Sequence, residues 1–528
     1  MKKFWLYFHT IRYLKPNQVF YLLWYKFKKL FPLKESYGKY KNATIKRLQY
    51  DDYTLIVAQG KFRGNNRFVF LNVEHQFSST IDWNIHQHGK LWNYNLQYFD
   101  FIFDEQFSTE EFIPMIEDCS ASILHHQLAL EPYPVSLRLV NWLLFHSKTG
   151  FISSNFEKAI KFQTAYLEKN LEVQLLGNHY FENLVTLFVV ALYLGNEKLL
   201  QKSSKKFKEQ LKEQILDDGG HYECSPMYHV ILLSRLLLVY RLIQINQLEI
   251  EIKKPLANAI EKMQGWLNAF CFENGSYALF NDASNNIAVE TKTIKTIFQK
   301  TGLSASNILF KESGYRKFSN RNFEAIIDVG NIIPPFQPGH AHSDMLSFCL
   351  NFQDKEVFID PGVSTYEVNE QRLMERGTAI HNTVSINNEN QSEVWASFRM
   401  AKRAKIIIDI DVANHCKANH DGYYSRYGII VSREFRLKEN RLLITDEVIG
   451  NKQQIATTHF FLHPSIIVSK INENTIDLHC GLKMLFSFVA SLEIKTISIP
   501  DGYNKFIITQ MVEVVFHEKL YTVIIAEQ

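Results

Sequence analysis

Between about residue 85 and residue 300 the apolar residues recur at helical spacing, in long segments separated by short polar turns. Ser108-Thr109-Glu110-Glu111 is a capping box, the hydroxyl-then-carboxylate signature that opens a helix. The spacing predicts further helices near 114–129, 134–148, 155–170, 178–194, 197–215, 226–245 and 252–272. A run of hairpins of such similar length closes into a toroid or stacks into a solenoid, and periodicity does not choose between them. From about residue 320 the period falls to two. Stretches 324–329, 346–352, 384–386, 404–410, 424–435, 441–448, 455–462 and 512–525 alternate, or run as short β-rich segments between Asn, Asp and Gly turns. They predict an all-β half, a sandwich of antiparallel sheets. Both patterns break near 300–322, at Thr301-Gly302 and at Lys311-Glu312-Ser313-Gly314. The expected organisation is multidomain α+β: a lead-in over 1–84, a helical domain over 85–310 and a β-sandwich over 311–528.

A chain of 528 residues is too long for one core, and 46% hydrophobic with 21% charged residues is an ordinary globular composition. The net charge of +3 is too small at this size to argue for or against an anionic partner. Forty Phe, 25 Tyr and 7 Trp say more, because aromatic faces line carbohydrate grooves, although large aromatic cores account for most of them. Six cysteines, at 119, 224, 271, 349, 416 and 480, show no paired spacing, so neither a disulfide framework nor a Cys-rich zinc site is expected. Walker, Gly-x-Gly-x-x-Gly, His-Glu-x-x-His and Gly-x-Ser-x-Gly motifs are absent, which removes the usual support for nucleotide, dinucleotide, zincin and serine-hydrolase functions.

The first residues, Met-Lys-Lys then Phe-Trp-Leu-Tyr-Phe, meet His9, Arg12 and Lys15 before any adequate apolar core, so no cleavable signal peptide is read. No uninterrupted apolar run reaches about 18 residues. Stretches 184–194 and 230–238 are short or carry Arg235. A soluble or peripheral protein is expected. Residues 3–33 mix Lys and Arg with Trp5, Phe8, Tyr13, Phe20, Trp24 and Phe31, as in a helix pair contacting a membrane surface, or in a packing arm.

Candidate chemistry gathers in three places. Pro338-Gly339-His340-Ala341-His342-Ser343-Asp344 holds two histidines one residue apart, which share a face if a strand runs through 342–348 and diverge in a loop. Asp360 stands at the end of a short predicted strand, before Pro361-Gly362, and His381 follows. His342, Asp360 and His381 make a three-ligand set for zinc or a similar ion; such residues serve equally as hydrogen-bonded core groups. Second, Asn178, His179 and Glu182 group on the first turns of a predicted helix, as catalytic groups or as caps. Third, Ser225 as N-cap and Pro226 at the first helical position put Tyr228 and His229 at a helix mouth, where a Tyr acts in proton transfer or in packing. Residues 91–100, with Asn95 and Tyr98, and 131–142, with Arg138, mix polar and aromatic groups suited to a carboxylate sugar or to a helix seam.

Taken together and in order, Gly177-Asn178-His179, Asp218-Gly219-Gly220, Ser225-Pro226-Met227-Tyr228-His229, Phe280-Asn281-Asp282-Ala283, the 338–344 motif, Asp360-Pro361-Gly362, His381-Asn382-Thr383 and Gln391-Ser392-Glu393-Val394-Trp395 resemble the heparinase II/III family of polysaccharide lyases over roughly residues 85–405. The resemblance implies an (α/α) toroid followed by an antiparallel β-sandwich, with the active site between them. It implies β-elimination on an anionic uronic-acid polysaccharide and no nucleic-acid partner. Asn178 and His179, with Glu182, would neutralise the substrate carboxylate. Tyr228 would protonate the departing O4, and Tyr228 or His340 would take the C5 proton; Asn95, Tyr98, Arg138 and His229 would bind substrate. His342, Asp360 and His381 would hold a structural divalent metal, zinc. A C5-epimerase on the same fold, like dermatan sulfate epimerase, and a non-catalytic polysaccharide-binding protein are the alternatives. The basic-aromatic N-terminus looks like that of family members associated with making surface polysaccharides, so a cytoplasmic or inner-membrane-face location is expected, with the periplasm as the other. Oligomeric state is open.

Overall fold

The computed structural model describes residues 2–30, 37–450 and 453–527. Its first half is helical, from Lys90–Tyr98 through Thr109–Leu124, Pro132–Thr149, Ser154–Lys169, Gly177–Leu194, Glu197–Gln214, Pro226–Ile245 and Lys253–Phe270 to Thr291–Thr301. The capping box forms: the Ser108 hydroxyl accepts from the Glu110 N–H, and Glu111 accepts from the Ser108 N–H. Sequence composition sorts these helices into layers. Gly177–Leu194 is buried along nearly its whole length because it is apolar on every side, whereas Glu197–Gln214 carries one apolar stripe and faces solvent with its lysines. Two such layers of hairpins make the toroid.

The second half is antiparallel throughout. Tyr315–Ser319, Phe323–Asp328, Phe348–Phe352 and Lys355–Phe358 form one four-stranded sheet. Ser491–Pro500, Phe506–Phe516, Ala456–Phe461 and Val384–Ile386 form another. An eight-stranded sheet runs from Ile406–Val412 through Arg441–Ile449 and Lys519–Ala526 to Ser469–Asn472. Phe348, Phe358, Phe435 and Phe460 pack between the sheets.

Local differences from the predicted pattern have local causes. Residues 424–435 are a helical turn, Tyr424–Tyr427, closed by left-handed Gly428 before the strand Ile429–Lys438. Residues 512–525 belong to two strands, Phe506–Phe516 and Lys519–Ala526, which lie in different sheets. Residues 342–347 are loop, and Leu346, at φ 64°, turns the chain before the strand Phe348–Phe352 begins. Among the described residues one helix, Pro226–Ile245, is long and apolar enough to cross a membrane, but it is packed in the toroid core.

Asp218 stitches the halves together: its Oδ2 accepts from the Lys311 and Ser313 N–H groups and from the Ser313 hydroxyl. The N-terminal helices Lys2–Ile11 and Pro16–Leu30 also bridge them. Trp395 Nε1 donates to Thr10 Oγ1 at 3.1 Å, and Arg403 lies over the Tyr13 ring. Lys15 pairs with Glu213, and the Tyr25 hydroxyl donates to the Leu171 carbonyl. Phe31 lies outside the described residues.

Candidate active site

A cleft of about 1950 Å³ runs between the toroid and the β-half, walled on one side by the N-terminal helices. At its floor the helix Gly177–Leu194 begins. Gly177 has φ +55°, and a Cβ there would sit 2.1 Å from Glu223 Oε1, so only glycine lets that carboxylate reach the helix start. Glu223 accepts from the Asn178 backbone and, at 3.1 Å, from its side-chain amide. Burial would raise the Glu223 pKa, but His340 and His221 with these hydrogen bonds hold it below the usual range. Asn178 Nδ2 thereby points at His340 Nε2, 3.3 Å away. His179 Nδ1 donates to Glu172 at 3.0 Å, and its ring lies against Tyr133. Burial opposes protonation of His179, Glu172 favours it, and the net effect is a raised pKa.

Opposite stand Tyr228 and His340. Ser225 caps the helix Pro226–Ile245, its Oγ accepting from the Tyr228 N–H, and Pro226 occupies the first position. The Tyr228 hydroxyl meets that of Tyr366 at 3.1 Å, and burial pushes its pKa well above the ordinary value, so it is a protonated donor. His340 Nδ1 donates to Asp282 Oδ2 at 2.8 Å. Its Nε2 therefore carries the lone pair, facing Asn178 and the cleft.

Asp282 is the hub of the site. Arg372 binds both its oxygens, at 2.5 and 2.6 Å, and His342 Nε2 donates to Oδ1 at 2.8 Å. Burial works to raise the Asp282 pKa; Arg372 and the two imidazoles override it and hold the group well below the carboxylate range. The backbone locks the same register, with the Asp282 N–H on the His340 carbonyl and Asn281 Oδ1 accepting from the His342 N–H.

Behind the hub lies a buried group that fits a metal. His342, Asp344 and His381 each offer a ligand atom, all within 4.8 Å of one another. His342 Nδ1, Asp344 Oδ2 and His381 Nε2 have no hydrogen-bond partner, although each is buried. Three orphaned lone pairs facing one point suit a cation and little else. Burial drops His342 to about 3, which keeps it in the neutral form that ligates. Burial, with Asp360 adding to it, pushes Asp344 up to about 6 against the opposing pull of His381.

Several expected roles change. Asp360, expected as a ligand, accepts from His381 Nδ1 at 2.7 Å, and the group of three that lies together is His342, Asp344 and His381. Arg138, expected at the substrate, is fully buried and donates to Gln163 and to Gln97, a staple between helices. His229 is buried too: its Nε2 meets the Met263 carbonyl, and its ring stacks on Trp266. Glu182 is buried against Arg235, 3.0 Å away, and does not line the cleft. Asn95 and Tyr98 do line it. Asp282 lies inside a motif read from the sequence, and Glu223 between two of them, but neither carried a role there. Arg372, on the short helix Glu370–Glu375, and Tyr366 had no sequence signal.

Family models match in tandem: the heparinase II/III N-terminus over residues 141–301 and the heparinase II/III-like C-terminal domain over 304–514. The chain belongs to the heparinase II/III family. The heparin-sulfate lyase of Bacteroides stercoris is 24% identical over 281 residues, 48% of this chain and 40% of that protein. The heparin-sulfate lyase of Pedobacter heparinus is 24% identical over 273 residues, 46% and 39% of the two chains. The chain thus spans about two fifths of the length of these family relatives. A crystal structure of heparinase III superposes with a TM-score of 0.64 at 17% identity, covering 95% of this chain and 88% of that one. The shared family architecture is a helical toroid followed by a β-sandwich.

Proposed function

We propose that the protein is a polysaccharide lyase that cleaves a uronic-acid polysaccharide by β-elimination. The observation that carries this reading is the pairing of an imidazole lone pair with a protonated phenol at one point of the cleft: His340 Nε2 presents its lone pair there, met by the Asn178 amide at 3.3 Å, and Tyr228 is held protonated beside it. In the step, the C5–H bond breaks and its proton goes to His340 Nε2. The electron pair forms the C4–C5 double bond, the C4–O4 bond breaks, and O4 leaves with the proton of Tyr228. The C5 proton becomes acidic enough only when charge on the adjacent carboxylate is neutralised. The Asn178 amide, fixed by Glu223, and His179, kept cationic by Glu172, supply that at the positive end of a helix. Tyr94, Tyr98 and Tyr133 along the cleft offer faces for sugar rings.

A divalent ion such as zinc, held by His342, Asp344 and His381, would cross-link the loop that carries His340. Asp282, which binds both histidines, would transmit that rigidity to the base.

Incubating the protein with uronic-acid polysaccharides in deuterated water tests the reading. Rising ultraviolet absorbance from the unsaturated uronate is the expected result. Deuterium at C5 without cleavage would replace the lyase by a C5-epimerase, since both begin with the same proton abstraction. Neither signal on any polymer would leave a binding protein.

A further inference from the structure

The N-terminal helices wear their apolar faces outward. In Pro16–Leu30, Phe20, Leu23, Trp24 and Phe27 stand at i, i+3, i+4 and i+7, the stripe that a helix ordinarily turns to a core. Here they are 60, 63, 44 and 53% exposed, while Gln18, Tyr21 and Tyr25 on the other side make the contacts with the toroid. Lys2–Ile11 repeats the arrangement: Tyr7 and Thr10 dock on Trp395, and Phe4, Trp5, Phe8 and Ile11 face out. Two adjacent helices with outward aromatic stripes form an apolar patch that calls for a covering partner.

Charge identifies the partner. Residues 1–34 contain eight Lys and Arg and no Asp or Glu, whereas residues 35–528 hold 50 basic against 55 acidic residues. The whole positive excess of the chain lies in this arm. A second copy would set two such arms against each other; an anionic surface neutralises them. Trp and Phe above a cationic helix flank are also the side chains of the water–lipid boundary.

We propose that the outward faces of Lys2–Ile11 and Pro16–Leu30 bind an anionic lipid bilayer, lying in the headgroup plane with Trp5, Phe8, Phe20, Trp24 and Phe27 in the acyl boundary. Trp5, Phe8, Phe20, Trp24 and Phe27 do not line the cleft, and Ile11 and Leu23 stand at the edge shared with it, so binding leaves Thr10, Leu14 and Gln18 lining the cleft.

Co-sedimentation of the full chain with vesicles of phosphatidylcholine alone, and with phosphatidylglycerol added, tests this. Binding should strengthen at least about tenfold with the anionic lipid and weaken with salt. The Trp24→Glu/Phe27→Glu variant should lose binding by about tenfold or more while keeping its melting temperature, because both side chains are exposed. Equal sedimentation of the variant and the unsubstituted chain would overturn the proposal, as would absence of binding to either vesicle. A dimer in light scattering that the same variant dissolves would give the face to a second copy and overturn it too.

Discussion

Tyr228 and His340 lie ring against ring, centroids 4.1 Å apart and planes 33° apart, although 112 residues and a domain boundary separate them in sequence. The proposed acid and base are thus packed on each other across the seam between toroid and sandwich. Tyr228→Phe keeps the ring contact and removes only the proton. It should lower kcat by about 10²- to 10⁴-fold with KM and melting temperature nearly unchanged. Steady-state rates on a cleaved polymer check this, and a retained rate would move the acid elsewhere.

His340→Ala should abolish turnover and keep bound metal, because the orphaned lone pairs belong to His342, Asp344 and His381. His342→Ala should lose the metal and melt at lower temperature. Elemental analysis of both variants distinguishes the two histidines.

Asp344→Asn and Asp360→Asn separate direct ligand from orienting partner. Asp344→Asn should empty the site, whereas Asp360→Asn should weaken it by about 10- to 100-fold and leave it fillable at high metal concentration. Titration of metal into chelator-treated protein reads the difference; the opposite order would restore Asp360 to the coordination sphere.

Asp282→Ala would strand the Arg372 guanidinium, fully buried and ion-paired, and a buried pair broken on one side costs about 3–5 kcal/mol. Chemical denaturation of this variant should show that loss. Replacing both residues, as Asp282→Asn with Arg372→Met, should recover part of the stability without recovering turnover.

Binding should weaken as pH rises. Glu172 raises the His179 pKa above its usual value of about 6.5, so the imidazolium that faces the substrate carboxylate is fully present below that value. It is lost as pH climbs through the raised one. KM should therefore increase over that window in the unsubstituted protein and stay flat in His179→Gln; parallel profiles would remove His179 from substrate binding.

Periodicity made the architecture legible because each half keeps one period throughout: helices near 197–215 and 226–245 match Glu197–Gln214 and Pro226–Ile245. Strands such as Ser491–Pro500 were missed because Leu492 and Ile494 alternate in one phase and Ile497 and Ile499 in the other, so no single period-2 pattern runs through the segment. In the site, local signals carried the residues that helix ends position, Asn178, His179 and Tyr228. What sequence could not carry was pairing across the fold. Glu182 and Arg138 look like substrate-binding groups until the structure shows each turned to a neighbour, Arg235 and Gln163. Asp344 sits two residues from His342 in the same motif and carried no role there; the orphaned oxygen marks it.

The double duty of Asp282 binds two chemistries into one inheritance. Its Oδ2 sets the tautomer of His340 and its Oδ1 that of His342, so any substitution that retunes the proposed base also retunes the candidate metal ligand behind it. A lineage drifting toward a new substrate cannot adjust that carboxylate for one purpose alone. Change is free to accumulate instead along the tyrosine-lined walls of the cleft, where no residue answers to both.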